Sequence, residues 1–268
     1  MVMATGEECL LMGGAWLPVT GTVNFLRSDV DAVVEMFVSV RGGVILKQTG
    51  TPVTVRGVRG SLAERFESLL PLVSAMASRY LFIPVVADDG EVWTAYVDNS
   101  YSGIEMGPAL GLFAARGVFG VSICEKPNSY DHRTNLGSWG VRKVEVLEPA
   151  PDGSRDYAGY SLGVRVTDSS RWEFIEPVTG TPFPDPTDYG ARRIPDRFTH
   201  GHLVQVAGFY GLRPFDEDFY SSQDRGVLVE DKGSHGRDWK HFTLTQAQEN
   251  GRGVLWSHVE KGRVVELP

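Results

Sequence analysis

The segment from Tyr80 to Asp98 constrains the fold more than any other. Two runs, Tyr80–Ala87 and Glu91–Asp98, flank Asp88-Asp89-Gly90. Asp-Gly between such runs is the strongest short-range signal for a β-hairpin, because tight hairpin turns need residues that tolerate positive φ. The first run is apolar almost throughout, the pattern of a central strand buried on both faces. In the second, Trp93 and Ala95 share one face while Thr94, Tyr96 and Asp98 share the other. A sheet therefore sits at the centre of this protein.

Around that hairpin the sequence predicts interspersed helices and further strands. Ser28 reads as an N-cap, with Val30, Val33, Val34 and Phe37 at helical spacing, so the prediction is a helix over 29–40 stopped by Gly42 and Gly43. Val44–Lys47 and Val53–Arg56 around Gly50-Thr51-Pro52 read as a second hairpin. Ser61 and Glu64 form a capping box, and Phe66, Leu69, Leu70, Val73 and Met76 extend that helix to about Arg79, kinked or split at Pro71. A short helix over 106–116 and strands over Val118–Glu125, Trp139–Leu147, Tyr160–Thr167 and Arg171–Ile175 come next. Residues 148–156 are a boundary or a hairpin tip. After a Pro-rich loop, Thr199 caps a helix to about Tyr210. A strand over Gly226–Glu230, a short helix over Thr245–Asn250 and a closing hairpin, Val254–Val259 with Arg263–Leu267, complete the chain. Strands in consecutive runs with irregularly placed helices imply α+β: a mixed, mostly antiparallel sheet with helices packed on it. The division expected is 1–147 and 157–268, two halves that can also form one continuous domain.

Charge narrows the classes of partner. The chain carries 26 Lys and Arg against 34 Asp and Glu, a formal charge of −8 shared evenly by its two halves. With no basic domain or tail, sequence-wide nucleic-acid binding is disfavoured. The two cysteines, Cys9 and Cys124, make neither a disulfide framework nor a Cys-x-x-Cys metal site. Glu7 and Glu8 near the start carry the wrong charge for a secretory signal, and Tyr80–Ala87 is too short to span a bilayer. A cytoplasmic protein with no membrane, metal or cofactor is expected.

Five constellations bear on chemistry. Gly159-Tyr160-Ser161-Leu162-Gly163 spells a nucleophile elbow, but Val164-Arg165-Val166-Thr167 directly after it reads as a strand where an elbow needs a helix. His200-Gly201-His202 with Asp196 could offer metal ligands, yet helical positions two apart diverge. Asp216, Glu217 and Asp218, with Glu230 and Asp231 downstream, could do acid–base work or meet a basic partner, while Phe215, Phe219 and Tyr220 beside them suggest a capped turn pinned to the core. Cys124 with Asp131 and His132 could make an activated thiol, although a Cys ending an apolar strand is ordinary packing. Trp93, Tyr96, Asp98, Asn99 and Tyr101 could line a contact surface, Tyr96 foremost.

Several stretches together carry a resemblance: Asn24-Phe25-Leu26-Arg27, Trp93 to Asn99, Arg171-Trp172-Glu173-Phe174, Tyr189 to Phe198, and Pro214 to Tyr220. From residue 22 to about 230 the chain resembles a family of uncharacterised bacterial proteins of similar length. In size, acidity and lack of motifs it is also similar to the immunity proteins that neutralise bacterial toxins. The resemblance implies no catalytic residues. The expectation is a protein-binding factor that covers a functional surface of a basic partner, such as a toxin, using Asp216, Glu217, Asp218, Glu230, Asp231 and Tyr96. Two other readings stay open: a hydrolase or transferase assembled from scattered carboxylates and a histidine, and a small-ligand sensor with an aromatic pocket.

Overall fold

The computed structural model describes residues 10–74, 77–101, 103, 108–134, 136–177, 180–221, 224–233 and 239–250. The central hairpin forms as its turn dictates. β4 (Arg79–Val86) and β5 (Val92–Asp98) pair antiparallel from Tyr80↔Asp98 to Val86↔Val92. Gly90 holds φ at 87°, which an L side chain resists, and Asp89 Oδ1 accepts a hydrogen bond from Glu91 N at 2.9 Å.

The rest of the sheet grows outward from this pair. β1 (Thr22–Leu26) lies between β5 and β6 (Gly120–Lys126). Beyond β6 the chain meanders through β7 (Val141–Pro149), β8 (Tyr157–Val166) and β9 (Trp172–Ile175). Residues 150–156 are thus the tip of the β7–β8 hairpin. On the other flank β10 (Arg225–Glu230), from late in the chain, inserts between β4 and β2 (Thr54–Arg59). The result is a nine-stranded sheet of order β2-β10-β4-β5-β1-β6-β7-β8-β9, antiparallel at every pairing. The fold class is α+β, as the run of strand signals implies. A separate two-stranded ladder joins β3 (Leu72–Val73) to β11 (His241–Phe242).

Helices cover both faces, which is why the central strands are apolar on both sides. One core gathers Phe25, Leu81, Ile83, Trp93, Val144 and Leu162 under α3 (Leu62–Glu67), α6 (His200–Phe209) and the 3-10 turn Glu217–Tyr220. The other gathers Leu26, Tyr80, Phe82 and Tyr96 under α1 (Val30–Phe37) and α4 (Pro108–Ala114). Phe37 is its hub, with ring centroids 4.7 Å from Tyr80, 5.3 Å from Phe82 and 6.3 Å from Phe113. Tyr96, expected on a contact surface, is 1% exposed and stacks on Phe82 at 5.4 Å. Its face of β5 is covered by helices, so it serves the core.

Local departures from the sequence-based expectations have identifiable causes. The cap of α1 is Asp29, not Ser28: its Oδ1 accepts from Asp31 N at 3.1 Å and Ala32 N at 2.9 Å. Gly42 and Gly43 do not stop the helix. Both have helical φ and ψ, a wide turn over Val38–Gly42 carries the chain onward, and α2 (Gly43–Thr49) replaces the expected strand. Ile45, buried at 5%, anchors α2, and the true stop is Gly50 with φ at 70°. Strand β2 consequently pairs with β10 rather than with residues 44–47. The Ser61–Glu64 capping box is present, but α3 ends at Glu67; Pro71 has no N–H with which to carry the helix on and bars Leu70 before it from the helical region. α7 (Leu244–Glu249) starts one residue earlier than expected, capped by Thr243. The expected closing hairpin at 254–267 lies outside the described residues.

Asn99, 1% exposed, fastens the end of the hairpin to the segment that precedes it. Its Oδ1 accepts from Ser78 N at 2.9 Å and Arg79 N at 3.0 Å; its Nδ2 donates to Pro71 O at 2.9 Å and Ser78 Oγ at 3.2 Å. All its polar capacity is spent inside the protein. Asn99→Ala should therefore lower stability by about 2–4 kcal/mol, since it strands buried donors as well as removing bonds. The check is chemical denaturation, with a lower midpoint at unchanged slope expected.

A short helix α5 (Ile194–Arg197) packs against β9. This covers one end of the sheet. Nothing among the described residues pairs with the outer edge of β2 at the other.

Candidate functional site

The acidic residues singled out in the sequence do not form one patch. Asp216 caps the turn after it: Oδ1 accepts from Asp218 N at 3.0 Å, and Oδ2 lies 2.5 Å from Arg213 Nη1. Glu217 and Asp218 face water in that turn, while Phe219 and Tyr220 are buried at 1%. Glu230 is the last residue of β10, at its opposite end, and Asp231 follows it. Five residue steps of strand separate Arg225 from Glu230, about 17 Å at the usual rise. There Glu230 is paired with Arg79 at 2.8 Å, and Asp231, 5% exposed, accepts from Gly233 N at 2.9 Å. Three of the five acids, Asp216, Glu230 and Asp231, are thus tied up in the protein's own bonds, and the solvated pair Glu217 and Asp218 is split from Glu230 and Asp231 by a strand.

Two other arrangements emerge. The first is a charged network at the end of β6, where successive residues point to opposite faces. On the α6 side, Glu125 Oε1 accepts from Arg142 Nε at 2.6 Å, and Oε2 lies 2.6 Å from His200 Nδ1. Arg142 Nη1 also donates to Phe198 O at 3.1 Å. Burial alone would raise the Glu125 pKa; the His200 hydrogen bond and the Arg142 guanidinium outweigh it and hold the carboxyl below its ordinary value. The network ties the N-terminus of α6 to β6 and β7. A carboxylate on one imidazole nitrogen is also how a general base is oriented. The described residues place no hydroxyl or thiol against the other nitrogen; His200 packs against the Phe215 ring at 4.7 Å.

On the opposite face lie Cys124, Lys126 and, across the strands, Thr22, Asp98 and Lys143. Lys126 is 5% exposed. Burial pushes its pKa down to about 8; the nearby Cys124 and Asp98 oppose the shift and Lys143 adds to it. Thr22 Oγ1 sits 2.9 Å from Gly103 O and 3.3 Å from Cys124 Sγ. Cys124 therefore lies within this face and does not meet His132, whose ring contacts Tyr130 and Trp139 and whose Nε2 bonds Ser170. Cavities here are small: the two lined by Leu17, Pro18, Lys126, Pro127 and Ser138, and by Val19, Thr22, Asn24, Asp98 and Gly103, are shallow and have room for no more than about one water molecule.

The remaining sequence motifs resolve as packing. Ser161 sits mid-strand in β8 opposite Glu145, and Gly163 is there because a Cβ would fall 2.3 Å from Arg142 O. His202 closes a capping box with Thr199, its Nδ1 accepting from Thr199 N at 3.3 Å, while His200 turns to Glu125. Among the described residues no group of three or more His, Cys, Asp or Glu is placed to hold a metal ion, and no helix is long and apolar enough to cross a membrane.

The second arrangement is the outer edge of β2. Its other edge pairs with β10 from Thr54↔Glu230 to Arg59↔Arg225. Val55, Arg56, Gly57 and Arg59 are exposed, and Val58 is buried. An antiparallel edge strand turns the N–H and C=O of every second residue outward, a template for another strand. No Asp or Glu occurs from Met36 to Ala63, whereas Arg41, Lys47, Arg56 and Arg59 do. This run was visible in the sequence, but it is diluted in an overall charge of −8 and only the fold lines it along one edge. No protein-family model matches the chain, and comparison with curated proteins and with solved structures finds no match.

The buried ammonium has a measurable signature. An unfolded lysine titrates near 10.5 and the folded one near 8, so the unfolded chain binds more protons between these values. Stability should rise with pH across that window, and its low-pH side carries the cost of the buried charge. In Lys126→Met that part of the slope should vanish. Denaturation midpoints of both proteins from about pH 7 to pH 10.5 provide the check; identical slopes would refute the assignment.

Proposed function

We propose that this chain is a protein-binding factor that takes an extended segment of its partner as an added strand on β2. The observation that carries the reading is the open edge itself. Over its whole length β2 has a neighbour on one side only, among the described residues. The strand at the far edge, β9, is blunted: it has four residues, is packed by α5, and its Glu173 is paired with Arg165 at 2.9 Å. Strands of that kind resist pairing, whereas a longer bare one invites it.

Side chains along the approach suit a contact. Val55 is 49% exposed, and Val44 and Leu46 on α2, which leads into β2, are 42% and 47% exposed. Main-chain hydrogen bonds would supply affinity, and the side chains on the two faces of the strand would supply selectivity. Bound this way, the protein would occlude the captured segment of its partner, which is how an immunity factor for a toxin would act. The acids Glu217 and Asp218 would then be a solvated part of the surface, remote in role from the contact.

The Glu125–His200 pair supports the enzyme reading only so far as it orients an imidazole. Strand capture is favoured because its geometry is complete as it stands, while a reaction at His200 would need a partner group brought to it.

The test is a selection of displayed random peptides on the full chain, followed by amide hydrogen exchange of each complex. Slowed exchange at 54–59 is expected. Peptides that bind but protect only other regions would refute the proposal.

A further inference from the structure

Building on strand capture at β2, we infer that the captured segment is acidic, with carboxylates spaced to meet Arg56 and Arg59. Both guanidinium groups are exposed, and neither forms an ion pair among the described residues. Arg59 also stands directly opposite Arg225, which brings two positive charges to one face of the ladder. No acid occurs in the run from Met36 to Ala63 that carries Arg56 and Arg59, and the carboxylate that the fold brings beside it, Asp224, accepts from Gly60 N at 3.2 Å.

Register and face specify the pattern. Cross-strand partners share a face, so Arg56 and Val58 lie with Leu228 and Gly226 on the α6 side, and Val55, Gly57 and Arg59 lie with Val229, Val227 and Arg225 on the α1 side. An antiparallel guest meets Arg59 first and Val55 last. Read from its N-terminus it carries an acid opposite Arg59, an apolar residue opposite Val58, a large residue over the bare Gly57, an acid opposite Arg56, and an apolar residue opposite Val55. Acid-apolar-aromatic-acid-apolar satisfies every position, and Glu-Val-Tyr-Glu-Val is one such sequence.

Three other occupants fit less well. A second copy of this chain would bring Arg56 and Arg59 against a like edge. The chain's own residues 251–268 carry Arg252, Lys261 and Arg263 against Glu260 and Glu266, a net positive charge with the wrong sign. A nucleic acid would be drawn by the same arginines but would leave the outward amides and carbonyls of β2 without strand partners, and no exposed aromatic side chain is present between Met36 and Ala63 for a base to stack on. Edge arginines also serve simply to keep strands apart, and the experiment separates that role from recognition.

The full chain is titrated with fluorescein-labelled peptides containing Glu-Val-Tyr-Glu-Val, its Gln-Val-Tyr-Gln-Val isostere, and Lys-Val-Tyr-Lys-Val, and with an oligothymidine. Exchange at 54–59 is followed in each complex. The acidic peptide should bind about tenfold or more tightly than the glutamine isostere, weaken with added salt, and slow exchange at β2. In the double variant Arg56→Glu, Arg59→Glu, whose substitutions lie on exposed positions, preference should pass to the lysine peptide. Equal binding of the acidic and glutamine peptides, with β2 protected, would overturn the acidic preference and leave strand capture standing. Acidic-peptide binding without protection at β2 would overturn both. An oligothymidine that displaces the acidic peptide and binds more tightly would show a polyanion site instead. No binding by any peptide means that the arginines only repel neighbouring strands, and the inference falls.

Discussion

Insertion of β10 between β2 and β4 is the constraint on which the rest of the structure depends. A strand from residues 225–230 has to find two strands laid down near residues 54–59 and 79–86, and it can do so only if the intervening chain wraps the sheet and returns. Arg65 helps define where it returns. That side chain, 1% exposed on α3, donates from Nη2 to Tyr220 O at 2.9 Å and from Nη1 to Arg225 O at 3.1 Å. It thus holds the turn before β10 and the first residue of β10 against the same helix. At the far end Asp231 N donates to Ser78 O at 2.8 Å, the residue that Asn99 also fastens. Both ends of the inserted strand are pinned by buried polar groups, where a missing partner is costly.

The insertion decides what is left open. Because β10 occupies the place beside β4, β2 is displaced to the rim and its outer groups have no strand beside them among the described residues. It also explains a residue that looks out of place. Pro84 lies in an apolar strand, where its missing N–H would normally break a ladder. Pairing with β10 runs only from Arg79 to Phe82, so at Pro84 the strand has β5 alone beside it.

Charge is distributed with similar economy. Glu125 is paired with Arg142 and His200 where the sheet meets α6, and the partly buried Glu230 is paired with Arg79 across the β4–β10 ladder. Such pairs fix the position of α6 and of the β4–β10 ladder more than they add net stability, because desolvation offsets much of the attraction. The acids left in water lie around loops and turns. The bases left in water at β2, Arg56 and Arg59, form no ion pair among the described residues, and that gives the proposed contact its sign.

The sequence by itself determined the elements whose signals are local. The β4–β5 hairpin arises from Asp-Asp-Gly between two runs, the start of α3 from Ser61 and Glu64, the start of α6 from Thr199, and the β6–β9 meander from consecutive strand signals separated by polar connections. The α+β class comes from the order of these signals. What only tertiary structure decided is where non-neighbouring strands meet and which charges are thereby spent. Gly42-Gly43 looked like a stop, yet burial of Ile45 extends the helix through it, because packing outweighs a propensity difference of about 1 kcal/mol. Tyr96 looked like a contact residue until the helices on its face buried it. The acids at 216–218 and 230–231 looked like one cluster because they are close in sequence, but a strand between them carries them to opposite ends of the sheet. Arg56 and Arg59 gave no signal as a site, since an open edge is a property of strand order, and strand order depends on contacts between residues more than a hundred positions apart.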